Sequence, residues 1–260
     1  RGTVAAALRT ITTDIPDLLS LGLPKSVEKF ADFNNGLVLV TGPTGSGKST
    51  TLAALIDRIN TSTSQHIITI EDPIEYLHRH KKSVVEQREI KTDTESFSSA
   101  LKYALRQDPD VILIGEMRDL ETIESALTAA ETGHLVFATL HTNDASQAVD
   151  RVVDVFPTNQ QEQIRLQLST ALRGVVSQQL IPRLDKKGRV LTSEVLVGTP
   201  AIANLIREAK THQIYSMIET GARFGMRSMD SSLKELYEKR FISYEDMIKR
   251  MRNANIMEKL

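Results

Sequence analysis

The sequence of 260 residues contains no cysteine and no tryptophan, and aromatic residues make up only 5% of it. The absence of cysteine excludes disulfide bonds, a cysteine-ligated zinc site and a thiolate nucleophile. No apolar run approaches the roughly 18 residues of a membrane-spanning helix. Positive charge is not in excess either, because 32 lysines and arginines are balanced by 33 aspartates and glutamates. This balance disfavours bulk binding to nucleic acid, which usually requires a basic surface.

The sequence does have an ordinary share of apolar side chains, with 40% hydrophobic and 25% charged residues, which is enough to build a buried core. The length predicts one to two domains. In the first half, short apolar runs alternate with amphipathic stretches. The runs predict strands at residues 36–41, 66–71, 111–114 and 135–140, and the stretches predict helices at residues 49–60, 96–106 and 120–131. This alternation predicts an α/β fold with a mostly parallel sheet that is covered on both faces.

The second half of the sequence has a different pattern. It predicts two short strands at residues 175–180 and 190–197, and helices at residues 160–173, 200–210, 213–220, 231–239 and 243–253. We therefore divide the chain into an α/β core at residues 36–198 and a helical C-terminal subdomain at residues 199–260. A linker is predicted at residues 13–35. Residues 1–12 hold one predicted edge strand, which cannot fold alone, and we expect them to be the tail of a mostly missing N-terminal domain.

A phosphate-binding motif follows the first predicted strand. The segment Gly42-Pro-Thr-Gly-Ser-Gly-Lys-Ser49 fits G-x-x-x-x-G-K-[ST] and precedes a predicted helix, which is the context that this P-loop motif needs. Its glycines let the backbone approach phosphates closely, and the N–H groups of the helix N-terminus bind them. Lys48 is expected to bridge the β- and γ-phosphates, and Ser49 to ligate Mg²⁺. The predicted nucleotide-binding residues of this segment are Gly42, Pro43, Thr44, Gly45, Ser46, Gly47, Lys48, Ser49 and Thr50.

Carboxylates follow two further predicted strands. Glu116 ends the segment Asp110-Val-Ile-Leu-Ile-Gly-Glu116, which has the general form of a Walker B strand, and Glu71, Asp72 and Glu75 follow the second strand. Because the carboxyl ends of parallel strands meet at one edge of a sheet, we expect these side chains to face the phosphates. Hydrolysis needs a group that orients or deprotonates water. The residues alone do not decide which glutamate is this base.

Histidines and arginines add candidates with alternative structural roles. His134 and His141 flank the fourth strand, and their odd separation directs them to opposite faces of a regular strand, so a shared metal is not expected. His141 either contacts the γ-phosphate or belongs to a polar cap of the strand. Arg88, Arg106 and Arg118 are candidates for contacting the transferred phosphate, and each is alternatively a member of a structural ion pair.

Four segments in this order resemble the Walker A, Asp-box, Walker B and His-box motifs of the secretion ATPases of type II and type IV pilus systems. They are Gly42-Pro-Thr-Gly-Ser-Gly-Lys-Ser-Thr-Thr51, Ile70-Glu-Asp-Pro-Ile-Glu-Tyr76, Leu105-Arg-Gln-Asp-Pro-Asp-Val-Ile-Leu-Ile-Gly-Glu116 and Thr132-Gly-His-Leu-Val-Phe-Ala-Thr-Leu-His-Thr-Asn143. The resemblance covers residues 1–225. Residues 201–208 are similar to a signature of the branch that retracts type IV pili, with Ala203 where arginine is usual. The assembly and type II secretion branches typically carry a four-cysteine zinc module, which a chain without cysteine lacks.

The resemblance implies a RecA-like P-loop core, a PAS-like N-terminal domain of which residues 1–12 are a remnant, and a hexameric ring with ATP and Mg²⁺ at the subunit interfaces. It implies that Glu75 is the general base and that Glu116 holds Mg²⁺, commonly through water. It also implies that His134 and His141 sense the nucleotide, and that Arg88 and Arg106 reach phosphate.

The resemblance therefore predicts an ATP hydrolase that powers retraction, or disassembly, of type IV pili in twitching motility. The expected location is the cytoplasm at the inner face of the inner membrane, and the expected partner is the inner-membrane platform protein of the pilus machine. No nucleic-acid partner and no direct membrane contact are expected. The alternatives are a paralogue that assists retraction, a pilus-assembly or type II secretion ATPase, and a nucleotide-gated binding module with little turnover. Intact Glu75 and Glu116 disfavour the last of these.

Overall fold

The computed structural model describes Gly2, residues 11–185 and residues 187–253. Its strands are β1 (Gly36–Thr41), β2 (His66–Glu71), β3 (Val84–Glu89), β4 (Val111–Ile114), β5 (Leu135–Leu140), β6 (Leu172–Pro182) and β7 (Arg189–Val197). Its α-helices are α1 (Lys48–Ser62), α2 (Phe97–Ala104), α3 (Leu120–Glu131), α4 (Ala145–Asp154), α5 (Gln161–Ala171), α6 (Pro200–Arg207), α7 (Ile214–Thr220), α8 (Met229–Glu238) and α9 (Tyr244–Ile248). Short 3₁₀ helices lie at Leu19–Leu21, Glu28–Asp32, Thr211–Gln213 and Ala222–Phe224.

The described strands form one sheet in the order β3-β2-β4-β5-β1-β6-β7. Every neighbouring pair is parallel except β6 and β7, which form an antiparallel hairpin. The prediction of a mostly parallel α/β sheet is confirmed. The carboxyl ends of β1, β2, β4 and β5 therefore lie at the same edge, and the loops that follow these strands share one region of the surface.

Side chains along the central strands alternate between two buried clusters. In β1, for example, Leu37 and Leu39 belong to one cluster, while Val38 and Val40 belong to the other. The first cluster is covered by the helices α2 to α7, and the second by α1 and the 3₁₀ helix Glu28–Asp32. Because both faces are buried, a polar face along these strands would have no water to contact, which explains their continuous apolar sequences. The prediction of two covered faces is confirmed.

Two elements were not predicted from the sequence. β3 carries apolar side chains only at Val84 and Val85, and it pairs with β2 through its backbone as the edge strand of the described sheet. β3 has no continuous apolar run that would predict a strand, because an edge strand needs few buried side chains. α4 did carry a readable signal, since Ala145, Ala148 and Val149 lie on one helical face, all fully buried.

The second half of the chain differs from its prediction mainly at the boundaries of elements. α5 ends at Ala171, and β6 begins at the next residue, so the hairpin strands are longer than predicted. α9 ends at Ile248 rather than at residue 253. α8 and α9 pack on the hairpin through a small third cluster that includes Ile181 and Leu233.

The predictions for the N-terminal segment and for membrane-spanning helices can be compared with the structure only over the described residues. The predicted remnant of a PAS-like domain, residues 1–12, lies outside the described residues apart from Gly2, Ile11 and Thr12. Thr12 forms an isolated bridge with Tyr76 in the loop after β2. Among the described helices, none has both the length and the apolar character needed to cross a bilayer.

Candidate nucleotide-binding site

The P-loop depends on glycine at three positions. Gly42, Gly45 and Gly47 have φ values of 142°, 78° and 92°, in the region that side chains rarely adopt. At Gly42 a Cβ atom would also lie 2.3 Å from the carbonyl oxygen of Gln178. The loop therefore turns tightly between β1 and α1 and leaves its backbone open to a ligand.

The helix that follows the loop begins at Lys48 without a side-chain cap from the described residues. The N–H groups of its first turn and the helix dipole favour an anion at this end. The Nζ of Lys48 donates to the carbonyl oxygens of Gly42 at 2.8 Å and Pro43 at 3.2 Å. Burial lowers the pKa of this ammonium, and the carboxylates of Glu116 and Glu75 act in the opposite direction. Lys48 thus places a positive charge between the phosphate loop and two carboxylates.

A cavity of about 270 Å³ opens at the carboxyl edge of the sheet. Its walls come from the P-loop, the start of α1 and α2, and the segments that follow β2, β4 and β5. The lining residues are Thr44, Gly45, Lys48, Ser49, Glu71, Asp72, Pro73, Glu75, Phe97, Gly115, Glu116, Arg118, Thr139 and His141. The structure therefore brings the P-loop together with most of the carboxylates that the sequence pattern singled out.

Glu116 lies between two basic groups in this cavity. Its Oε1 is 3.0 Å from Nε2 of His141, and its Oε2 accepts a hydrogen bond of 2.5 Å from the Arg118 guanidinium. Burial alone would raise the pKa of this carboxyl, but the Arg118 hydrogen bond and the nearby His141 outweigh it, so the pKa lies below its usual value. Glu116 is therefore ionised at neutral pH, as a ligand for a cation requires.

The two glutamates of the loop after β2 differ in their surroundings. Glu71 accepts hydrogen bonds from Thr69 Oγ1 at 2.7 Å and from Gln87 Nε2 at 3.3 Å. Burial raises the pKa of Glu71 more than these hydrogen bonds lower it, and the charge of Glu75 raises it further. Glu75 lines the same cavity close enough for its charge to act on both Glu71 and Lys48. Glu71 is thus held by neighbouring side chains, and Glu75 lines the same cavity as the P-loop lysine.

Comparison with known proteins places this site in a family. A family model described as type II/IV secretion system protein matches residues 8–255. The chain belongs to this family.

Similar members of the secretion system family include two curated proteins and one solved structure. The type IV pilus retraction ATPase PilT of Pseudomonas aeruginosa is 55% identical over 241 residues, which cover 93% of this chain and 70% of that protein. A twitching motility protein of Neisseria gonorrhoeae is 53% identical over 253 residues, covering 97% of this chain and 68% of that protein. A crystal structure of the pilus retraction motor PilT with bound ADP matches with a TM-score of 0.90 and 52% identity, covering 97% of this chain and 71% of that one.

Three residues that the family resemblance suggested lie outside the cavity of this chain. His134 precedes β5, at the opposite edge of the sheet, where its Nδ1 lies 3.0 Å from the Ala129 carbonyl oxygen. Arg106 is exposed in the turn between α2 and β4, also at that amino edge. Arg88 donates to Gln107 and pairs with Glu86. Within one chain, therefore, His141 lines the cavity beside the P-loop, and His134 does not.

Two contacts near the nucleotide site were not predicted from the sequence. Gln178 of β6 donates from Nε2 to the Ser46 carbonyl oxygen at 3.3 Å and so contacts the inside of the P-loop. The hydroxyls of Thr50 and Tyr76 lie 2.8 Å apart and join the start of α1 to the loop that carries Glu75. Gln178 is separated from Ser46 by 132 positions. No local pattern signals that contact, although a fully buried glutamine indicates a polar partner once burial is known.

Proposed function

We propose that this chain is an ATP hydrolase that powers retraction of type IV pili and thereby twitching motility. The observation that carries the proposal is the convergence of Lys48, Glu75 and Glu116 on the cavity beside the P-loop. The similarity to a PilT of 55% identity supports the choice of retraction among the activities of the family. The residues of the site support the ATP-dependent chemistry, and the similarity to pilus retraction proteins supports the role in pilus retraction.

The residues around the P-loop fit a polyphosphate. The open backbone of the loop, the uncapped N–H groups of α1 and the Lys48 ammonium together offer the donors that phosphate oxygens need. On phosphate binding, Lys48 exchanges its contacts with the carbonyl oxygens of Gly42 and Pro43 for contacts with the β- and γ-phosphates. Phosphates accept charge-assisted hydrogen bonds, which are stronger than those to neutral carbonyl oxygens.

The donor set also fits Mg²⁺ when phosphate is present. Among the described residues no group of three or more histidines, aspartates and glutamates could hold a metal ion by itself. Mg²⁺ in nucleotide sites is usually held by one or two protein oxygens together with phosphates and water. We assign the protein ligands to the Ser49 hydroxyl and the Glu116 carboxylate. The metal would neutralise charge on the phosphates and so assist their transfer.

Glu75 is our choice for the base that accepts a proton from the attacking water. It lines the cavity beside the P-loop, its charge acts on Lys48, and it stands where the family resemblance implies the base. His141 contacts Glu116 at 3.0 Å, so its position responds to the group that holds the metal. We assign His141 the role of sensing the nucleotide through this contact.

The residues outside the cavity suggest that the complete site needs a second subunit. His134, Arg88 and Arg106 lie away from the P-loop of their own chain, so they can contact phosphate only when a neighbouring copy supplies them. We propose a homohexameric ring in which Arg88 and Arg106 act across the subunit boundary and His134 contributes to nucleotide sensing there.

A mixing experiment tests this composite site. Lys48→Ala protein and Arg106→Ala protein should each be inactive, but their mixture should regain part of the ATPase activity, because some boundaries then combine an intact Lys48 with an intact Arg106. A mixture of Lys48→Ala and Glu116→Ala proteins is the matched control and should stay inactive, since both residues lie in one chain's cavity. Phosphate release from the remixed proteins is the measurement. If the first mixture stays as inactive as the second, Arg106 does not act across a boundary.

The cellular role follows from the relatives. We propose that the ring acts in the cytoplasm at the inner face of the inner membrane, on the platform protein of the pilus machine, and that it meets the membrane only through such partners. Deletion of the gene should leave extra pili on the cell surface and abolish twitching, because pili would still be assembled but not withdrawn. Surface pili are counted by electron microscopy. Loss of pili would instead indicate an assembly motor, and unchanged pili with normal twitching would contradict a retraction role.

A further inference from the structure

A buried carboxylate outside the cavity lies beside the starts of two helices. Glu194 of β7 is 2% exposed, and its Oε1 accepts a hydrogen bond of 2.9 Å from the backbone N–H of Ala145, the first residue of α4. The backbone N–H of Met229, the first residue of α8, lies near enough to lower the pKa of this carboxyl group. A buried carboxyl group is unfavourable unless it is hydrogen-bonded, so the start of α4 is its stabilising partner.

The Glu194 carboxyl group can serve as an acceptor in either protonation state. Burial raises its pKa to about 7, and the charge of Asp144 acts in the same direction. The backbone N–H groups of Ala145 and Met229 and the charge of Arg252 oppose the rise. Both the neutral and the ionised carboxyl group have an oxygen that can accept from a helix N-terminus, where negative charge is favoured. Glu194 therefore remains an anchor for the start of α4 around neutral pH.

The first of these helices leads directly to the nucleotide site. Only residues 141–144 separate the end of β5 from the start of α4, and His141 lies 3.0 Å from the Glu116 carboxylate. This short segment is held at one end by β5 and at the other by the contact between Ala145 and Glu194. Asp144 additionally caps α4 by accepting from Gln147 N at 2.8 Å. Loss of the Glu194 contact would release the helix start and, with it, the segment that carries His141.

The second helix belongs to the C-terminal subdomain and is tied to the same strand. Val195 and Arg227 exchange two backbone hydrogen bonds of 2.8 and 3.0 Å just before α8. Within α8, the Ser232 hydroxyl accepts from Ser193 N at 3.1 Å and bonds to Thr192 at 2.9 Å. The start of α8 is thus fixed to β7 on both sides of Glu194.

We propose that Glu194 is a positioning residue for the ATPase reaction: by anchoring the start of α4 it keeps His141 against Glu116, and because the neighbouring residues of β7 hold α8, it links that arrangement to the C-terminal helices. The catalytic part of this inference rests on the proposed function. Glu194 does not line the cavity and touches no reacting group. Its effect on the reaction must therefore pass through the position of His141.

Hydrogen–deuterium exchange tests the anchor without requiring activity. In the intact protein, Glu194→Ala should speed amide exchange at residues 141–148 by about tenfold or more, since local opening governs exchange of protected amides. Glu194→Gln keeps one carbonyl oxygen as an acceptor and should change exchange there much less. Ser232→Ala is the matched control, because it removes a buried contact between β7 and α8 but none with α4, and it should affect α8 alone. Unchanged exchange at residues 141–148 in Glu194→Ala would refute the anchor.

A double-mutant cycle on the ATPase rate tests the positioning role. Glu194→Ala should lower kcat about tenfold with little change in KM for ATP, but less than about twofold when His141 is already alanine, because coupled residues are not additive. Ser232→Ala should show the same small effect in both backgrounds. An equal loss from Glu194→Ala in both backgrounds would show that Glu194 acts on stability alone.

Two further outcomes remain decisive. If Glu194→Ala does not fold, the same cycle with Glu194→Gln should show a smaller loss that again disappears in the His141→Ala background, and additivity there would overturn the positioning role. A wild-type protein that binds ATP without turnover would remove the proposed ATPase function and the catalytic part of this inference, while the exchange measurement would still decide whether Glu194 anchors the His141 segment.

Discussion

Lys48→Ala is expected to abolish ATP turnover while the fold remains intact. Among the described residues, the Lys48 ammonium bonds to carbonyl oxygens of the loop, and Lys48 belongs to none of the buried clusters found there. Its loss should reduce turnover by roughly 10²–10³-fold or more, as for other groups that stabilise charge in a transition state. Phosphate release measures turnover, and a thermal melt reports the fold. Lys102→Ala, which removes an exposed lysine of α2, is the matched control and should retain full activity.

The outcome that would contradict the P-loop assignment is unchanged ATPase activity in Lys48→Ala. A second informative result comes from Lys48→Arg, which keeps the charge but changes its shape. The planar guanidinium cannot reproduce the compact ammonium that contacts the carbonyl oxygens of Gly42 and Pro43. We therefore expect Lys48→Arg to be strongly impaired as well, which distinguishes a shaped phosphate site from a general positive potential.

Glu75→Ala is expected to bind ATP and Mg²⁺ normally but to lose roughly 10²–10⁴-fold in turnover, the usual contribution of a positioned base. This loss corresponds to about 3–5 kcal/mol in the activation barrier. Glu116→Ala should also slow turnover, but by weakening the site for Mg²⁺, so excess Mg²⁺ should restore part of its rate. Titrations of the rate with Mg²⁺ separate the two variants.

The roles would be reversed if excess Mg²⁺ rescued Glu75→Ala and not Glu116→Ala. Glu71→Gln provides a matched comparison, because glutamine keeps an oxygen that can accept from Thr69 and Gln87. It should retain more activity than Glu75→Ala. A larger loss in Glu71→Gln would make Glu71 the base, and full activity in all three variants would remove the glutamates from the site.

Local physical chemistry allowed much of this site to be predicted. A P-loop is defined by residues that are adjacent in the chain, since glycine supplies the positive φ values and the helix start supplies the N–H groups. Buried parallel strands appear as continuous apolar runs, and the direction of such strands predicts that Glu75, Glu116 and His141 meet at one edge. The same reasoning could have placed His134 at the opposite edge, because it precedes β5 rather than following it.

Only the tertiary structure could show the contacts between distant segments. The pairing of Glu116 with His141 depends on how the ends of β4 and β5 are oriented. Gln178 reaches the P-loop across 132 positions, and Glu194 reaches Ala145 across 49.

The spacing of apolar residues indicates which side chains are buried, but not which residues they contact. The partner of a buried polar group is decided by packing in three dimensions. The sequence by itself therefore determined the phosphate loop, the parallel sheet and the edge at which the site lies. The fold decided which side chains hold Glu71 and Glu116, which arginines lie outside the cavity, and which residues of β7 contact α4 and α8.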